Sequence, residues 1–233
     1  MPLNYVTTNG GILVPALAAD PYFADVQTLF KADKGLIDLR SKSVFDTKTV
    51  PLTGLRQKFS AVSAEFDGTT SRQLISSNGT GGQVSDGTPS PNDGWTMEGF
   101  IYVPSSGTGV RAIASNQNSS TTGNFTLYID GNNKLVFTTN VIRDTSTAAV
   151  PLNQWFSFAI AKNSNIWTGI WFNGILDSSN TGDFGGAYAS AVGFAIGSRL
   201  NGTLPFNGSI DSLRITKRVR YGGNYTPAEF SDH

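Results

Sequence analysis

Any chemistry this chain performs must come from carboxylates, hydroxyls or aromatic faces. Its single histidine is the terminal His233, and it has no cysteine. Neither an imidazole triad nor a thiolate or imidazole metal site is expected in an ordered interior. The remaining catalytic option is glycoside hydrolysis, in which one carboxyl group protonates the leaving oxygen while a second attacks or activates water. Glu98 is the one acid inside a predicted central strand, and positions 100 and 102 carry no carboxylate to pair with it. Glu65 sits in a second strand, on its outward face. A satisfied structural role is the stronger expectation for both, so no enzymatic activity is expected.

Sugar recognition needs aromatic faces beside polar groups, and Trp95, Trp155, Trp167 and Tyr188 are the candidates. Trp171 shares a strand face with Trp167. Large aromatics are more often core than ligand platform, and that is the default for Trp95, Trp155 and Trp171. A bound glycan is expected at the rim, in loops 76–92, 115–123 and 179–190, since loops on a rigid scaffold carry recognition. Six Asn-x-Ser/Thr triplets, at Asn78, Asn118, Asn124, Asn201, Asn207 and Asn224, follow from a composition rich in those residues.

Seventeen basic residues balance seventeen acidic ones, so the chain lacks the field that draws proteins to nucleic acid or anionic lipid. Only 15% of residues are charged and 26 are glycine, which favours short strands and tight turns over helices. The 233 residues are enough for one large sandwich that needs no disulfide or metal to fold. No run approaches the roughly 20 apolar residues of a membrane helix. The apolar stretch 12–19 lacks a preceding basic residue and contains Pro15, unlike a secretory signal.

These considerations set the elements that must position any site. Residues 1–20 show no sustained periodicity and read as an arm or docking segment, with 21–233 as the domain. Strands are predicted at Val26–Lys31, around Ile37, at Ala61–Phe66, Trp95–Val103, Trp155–Ala161, Val192–Ile196 and Ser209–Thr216. Trp95, Met97, Gly99, Ile101 and Val103 should face one way along a central strand that is apolar on both sides. Two hairpins are predicted, Phe125–Asp130 with Lys134–Thr139, and Ile166–Phe172 with Ile175–Ser178 around Asn173-Gly174. Residues 76–94 read as a long polar loop.

Several spaced segments together resemble the concanavalin A-like, laminin-G-like jelly roll found in bacteriophage virion proteins. They are 20–33 (DPYFADVQTLFKAD), 58–68 (KFSAVSAEFDG), 93–104 (DGWTMEGFIYVP), 124–137 (NFTLYIDGNNKLVF), 152–174 and 206–230. The last carries Gly-x-Ile-Asp-x-Leu-Arg-Ile-Thr-Lys over 208–217, then Arg220-Tyr221 and Tyr225-Thr226-Pro227. The resemblance spans everything after the arm and implies an all-β antiparallel jelly-roll sandwich. Glucanases of that superfamily set their acids in a Glu-x-Asp-x-x-Glu run, which this sequence lacks. Where the family usually reads Thr-Lys-Gly-Val-Ala-Arg-Tyr, this chain reads Thr216-Lys217-Arg218-Val219-Arg220-Tyr221. The added charge reads as a solvated loop or as a contact for an acidic partner.

The resemblance implies a non-enzymatic virion structural or adhesive protein, a capsid decoration or tail appendage. Such a protein would be assembled in the bacterial cytoplasm, trimeric, and docked to other virion proteins through residues 1–20. The alternative is a carbohydrate-binding module recognising surface glycans, and an endo-glycosidase comes third. The resemblance also implies a structural Ca²⁺ held by Asp211 with backbone oxygens near Gly68 and Asp33. Asp211 can instead accept backbone donors or pair with Arg214.

Overall fold

A computed structural model describes residues 5–7, 13–15, 20–40, 44–70, 73–76, 94–107, 109–117, 125–139, 142–163, 167–181 and 194–232. Within the segment read as an arm, β1 (Tyr5–Thr7) pairs antiparallel with β2 (Leu13–Pro15). The domain continues with β3 (Val26–Lys31), β4 (Asp46–Lys48), β5 (Leu52–Thr53), β6 (Ser63–Asp67), β7 (Gln73–Ser76), β8 (Trp95–Tyr102) and β9 (Arg111–Ser115). Then follow β10 (Thr126–Ile129), β11 (Lys134–Thr138), β12 (Ile142–Ala149), β13 (Trp155–Asn163), β14 (Trp167–Phe172), β15 (Ile175–Thr181), β16 (Phe194–Ile196) and β17 (Asn207–Thr216). Helical structure among the described residues amounts to two single 3-10 turns, Phe23–Asp25 and Ala32–Lys34.

The strands form two antiparallel sheets. One runs β12-β11-β10-β9-β16-β7-β4, the other β15-β14-β13-β8-β17-β6-β5, with β3 on β17 where β6 leaves it. Alternation explains the layering: Met97, Ile101, Phe158, Ile160 and Ile170 of one sheet meet Leu127, Ile129, Leu135, Phe137 and Phe194 of the other in a dry core. The alternating residues of β8, β13 and β14 point outward yet are also buried, as the two-sided apolar pattern of Trp95–Val103 predicted.

Both predicted hairpins form. Asn133 (φ 59°) ends the first turn, while Asn173 (φ 49°) and Gly174 (φ 79°) occupy the left-handed positions that a two-residue turn requires. The apolar spacing of the last strand, Ile210 then Leu213 and Ile215, has a physical cause: a β-bulge against β8 between Ile210 and Ser212. The extra residue, Asp211, lies at the point where β17 exchanges β6 for β3 as its neighbour.

Candidate glycan-binding face and the sealed opposite face

The outer face of the eight-stranded sheet is closed. Residues 219–232 run across it as a strap. Trp171 Nε1 donates to the Gly223 carbonyl at 3.0 Å, Tyr225 N to the Gly174 carbonyl at 2.8 Å, and Leu176 N to Asn224 Oδ1 at 2.9 Å. Phe230 packs on Phe100, and Lys31 Nζ bonds both Glu229 (2.9 Å) and the Phe230 carbonyl (3.0 Å).

Under the strap lies a compact ion cluster. Arg214 donates from Nε (3.1 Å) and NH2 (2.9 Å) to Glu98, and from NH1 to Asp20 (2.5 Å). Arg220 NH1 reaches both Asp20 oxygens at 3.0 Å, and Tyr221 OH donates to Glu98 Oε2 at 2.6 Å. Burial, the Glu98 charge and the Tyr221 hydrogen bond to Glu98 together raise the Tyr221 pKa. Burial alone would raise the Asp20 pKa, but the Tyr22 amide and the two guanidiniums outweigh it and hold the carboxyl below its usual range. Glu98 is thus locked in place, and the acid that shares its two arginines, Asp20, is itself tied to both. Glu65 is likewise engaged, by Arg56 (3.0 and 3.1 Å) and Ser209 (2.7 Å). Of the basic residues of 216–221, Lys217 and Arg218 stay exposed, with Arg218 pairing with Asp25 at 2.7 Å, while Arg220 is half-buried and pairs with Asp20.

The outer face of the seven-stranded sheet has a different character. Its floor has Ala112, Ser115 and Ala195 between Thr126 and Tyr128 on one side and Ile75, opposite Ala195, on the other, with Gln73 two residues along β7. Ser115 Oγ, Thr126 Oγ1 and Gln117 Oε1 form a chain of 2.9 Å hydrogen bonds, and Ser198 Oγ donates to Gln73 Oε1 at 2.6 Å. Yet Gln73 Nε2 and Arg199 Nε are buried without a hydrogen-bond partner among the described residues. Asn116 Nδ2 is likewise unpartnered, but its Oδ1 accepts from the Phe125 amide and its register puts it with Ala114 and Phe125 on the core side. Both outer-face orphans are N–H donors, so a molecule seated here is asked for acceptors. Tyr128, half-buried, lies within the fields of Asp130 and Arg199, and burial raises its pKa.

The aromatic candidates separate accordingly. Trp95 is 1% exposed and packs against Phe125 and Phe137 in the core, so it has no face to offer a sugar. Trp155 is half-exposed at the sheet end, edge-on to Tyr102. Trp167 belongs to β14 and pairs with Thr181, and Tyr188 lies outside the described residues. Trp171 is buried, but on the strap side rather than in the main core. The rim loops are described only at Ser76, 115–117 and 179–181. Sequence reasoning did not single out Tyr128, Gln73 or Arg199. The one available signal was Tyr128 alternating with Leu127 and Ile129, which marks it as outward.

Of the cation residues, Asp211 and Asp33 come near one another, but Gly68 does not join them. Asp211 accepts the Phe59 amide at 3.3 Å and lies near Asp33 and Glu229; burial raises its pKa, and those two charges add to the rise. Arg214 turns instead to Glu98 and Asp20. Gly68 bonds the Phe206 carbonyl and its neighbour Asp67 pairs with Asn207, so it lies several strand residues, on the order of 13 Å, from Asp211. Asp33 is paired with Lys34 at 3.2 Å. One calcium shell cannot span Asp211 and Gly68, and among the described residues no three acids or imidazoles are arranged to hold a metal.

A family model described as the concanavalin A-like lectin/glucanases superfamily matches residues 76–222. The chain belongs to that superfamily. The match stops just as the strap begins, so most of the strap lies beyond it. No curated protein matches the sequence. Among solved structures the chain is similar to domain 4 of AbnA, an extracellular arabinanase of Geobacillus stearothermophilus, in complex with arabinotriose. The identity is 18% and the TM-score 0.62, over 87% of this chain and 94% of that one. It is also similar to the CBM40 of a Ruminococcus gnavus IT-sialidase bound to α2,3-sialyllactose, at 16% identity and TM-score 0.54, over 69% and 91%. The binding domain of Paraclostridial Mosquitocidal Protein 1 aligns at 14% identity and TM-score 0.66, covering 86% of this chain and 50% of that one. At such identities the likeness is one of fold. A virion setting has no counterpart among these three.

Proposed function

We propose that this domain is a non-catalytic carbohydrate-binding module that takes a glycan against the outer face of its seven-stranded sheet. The observation that carries the reading is the pair of orphaned N–H donors Gln73 Nε2 and Arg199 Nε, with the half-buried Tyr128 within the field of Arg199. A saccharide supplies hydroxyl and ring oxygens as acceptors and an apolar ring face for the tyrosine, the mixture expected of a small-ligand site. The sealed opposite face, with Glu98 immobilised, supports binding over hydrolysis. The similar domains from an arabinanase and a sialidase, solved with arabinotriose and sialyllactose, support the same class.

The virion placement, with residues 1–20 contacting neighbours in a trimer, is compatible with this reading, since a glycan-binding module can be carried on a particle. It rests on the C-terminal motif together with the segment 1–20. A glycan array followed by calorimetry tests the binding reading. Wild type should retain at least one glycan that Tyr128→Ala and Arg199→Ala lose, and an array with no hit would overturn it.

A further inference from the structure

A second site emerges at the edge of the sealed face, independent of the seven-stranded sheet. Arg214 is held by Glu98 as well as by Asp20, whereas the side-chain hydrogen bonds of Arg220 go to Asp20 and its Nε only faces the Glu98 carboxylate. Glu98 takes Nε and NH2 of Arg214 and stands 3.0 Å from Nε of Arg220. Phe230 underlies the Arg214 guanidinium at 4.2 Å, while Tyr22 and Tyr221 flank that of Arg220 at 5.3 and 5.8 Å. Their remaining NH1 groups converge on one carboxylate, that of Asp20. Twin guanidiniums held in this way are a preformed carboxylate receptor.

The receptor opens on a cleft of about 290 Å³ that is also lined by Tyr221, Tyr225, Thr226, Ser231 and Glu229, whose charge is met by Lys31 at 2.9 Å. Tyr221 and Tyr225 stack at 3.6 Å and 5°. A space of that size suits a small ring bearing hydroxyls rather than a polypeptide. The four charges, two arginines with Asp20 and Glu98, sum to zero, so an incoming carboxylate that replaces Asp20 leaves no buried charge unpaired.

We infer that Arg214 and Arg220 form a binding site for an acidic sugar of the uronic-acid class, and that Asp20 occupies it as an internal competitor. Ligand entry displaces Asp20 and with it the root of residues 1–20. An internal competitor lowers apparent affinity by the fraction of time the site is open, so removing it should tighten binding.

The test uses the full chain with sodium glucuronate as probe, and glucose at matched ionic strength as control. Asp20→Asn should bind glucuronate at least about tenfold more tightly than wild type by calorimetry. Asp20→Asn/Arg220→Ala should lose that gain, and glucose should show none. In wild type, saturating glucuronate, but not glucose, should speed proteolytic cleavage within residues 1–20, a readout that does not depend on the variants folding. Glucuronate binding to Asp20→Asn no tighter than glucose overturns the inference, as does an unchanged cleavage rate in wild type. Because Tyr128 takes no part, failure here leaves the seven-stranded face untouched.

Discussion

The two sheets are built from the same alternation, yet their outer faces have opposite fates. On the eight-stranded sheet the outward residues include Phe100, Glu98, Trp171 and Arg214, and a strap of the same chain covers them, although Ser212 Oγ and Thr216 Oγ1 on that face make no hydrogen bond among the described residues. On the seven-stranded sheet the outward residues of the central strands are Ala112, Ser115, Ala195, Ile75 and the half-buried Tyr128, with unpaired donors at Gln73 and Arg199. Both faces bury polar atoms without partners, so what separates them is the covering strap and not the completeness of hydrogen bonding. The strap makes the eight-stranded face a stabilising surface, with the carboxylate cleft at its edge, and leaves the seven-stranded face as the one proposed for a neutral glycan.

Four experiments break or sharpen that division. The largest effect should come from Glu98→Ala, which strands two buried guanidiniums with only Asp20 between them. Such a loss costs about 3–5 kcal/mol, read as a lowered urea midpoint at constant slope. A midpoint equal to that of wild type would mean the cluster is ornamental.

Gly174→Ala should come next. The residue sits at φ +79°, and an added Cβ would meet the Tyr225 carbonyl at 1.9 Å, so the strap must lift. A loss of about 2 kcal/mol is expected from the strained φ and the clash. A red shift of Trp171 emission should accompany it as the strap loosens.

The pH response should carry opposite signs at two acids. The folded pKa of Asp20 is lowered, so its contribution is fully present above the unfolded value of about 3.8 and is lost as pH falls through the folded value. The melting-temperature gap between wild type and Asp20→Asn should therefore be open near neutral pH and close in acid. Asp144, which accepts from Thr168 at 3.0 Å and Ser178 at 3.3 Å, has its pKa raised chiefly by burial. Its ionisation costs stability as pH climbs through and above 3.8, so Asp144→Asn should compare more favourably with wild type at neutral pH than in acid. The two melting profiles against pH check both signs.

The smallest effect on stability should be that of Tyr128→Ala, under about 1 kcal/mol, with a loss of about tenfold or more in glycan affinity. Thermal melts and calorimetry on one preparation read both.

Much of the fold was legible because its signals are local. Asn173-Gly174 specifies a hairpin by its backbone alone, and Trp95–Val103 announces a central strand by being apolar on both faces. Other elements escaped notice for physical reasons. β9 is written in Arg, Ala, Ile and Ser, and β12 is mostly small and polar at a sheet edge, so neither shows a hydrophobic period. The β1–β2 hairpin is two three-residue strands without alternation. The last strand looked irregular because a bulge at Asp211 shifts its parity, which no periodicity count registers.

The candidate site was harder to read. Glycan recognition was sought in tryptophans, which are large and so are drawn inward, as Trp95 and Trp171 were. The surface that keeps spare donors depends on which amides and hydroxyls satisfy one another across β7, β9, β10 and the Ser198 turn. That information is long-range. The strap was visible only as a tail; Arg218, which departs from the resembling family just before it, pairs with Asp25, and Arg220, part of the family's Arg-Tyr, pairs with Asp20.

The most direct test of the division between the faces is a calorimetric titration of one array-selected neutral glycan into wild type, Tyr128→Ala and Phe230→Ala. Phe230 is 4% exposed and anchors the strap, so its loss lowers stability. The account predicts that Tyr128→Ala loses the glycan while Phe230→Ala, below its own melting point, binds it as wild type does. Retention by Tyr128→Ala together with loss in Phe230→Ala would contradict it and place recognition on the strapped face.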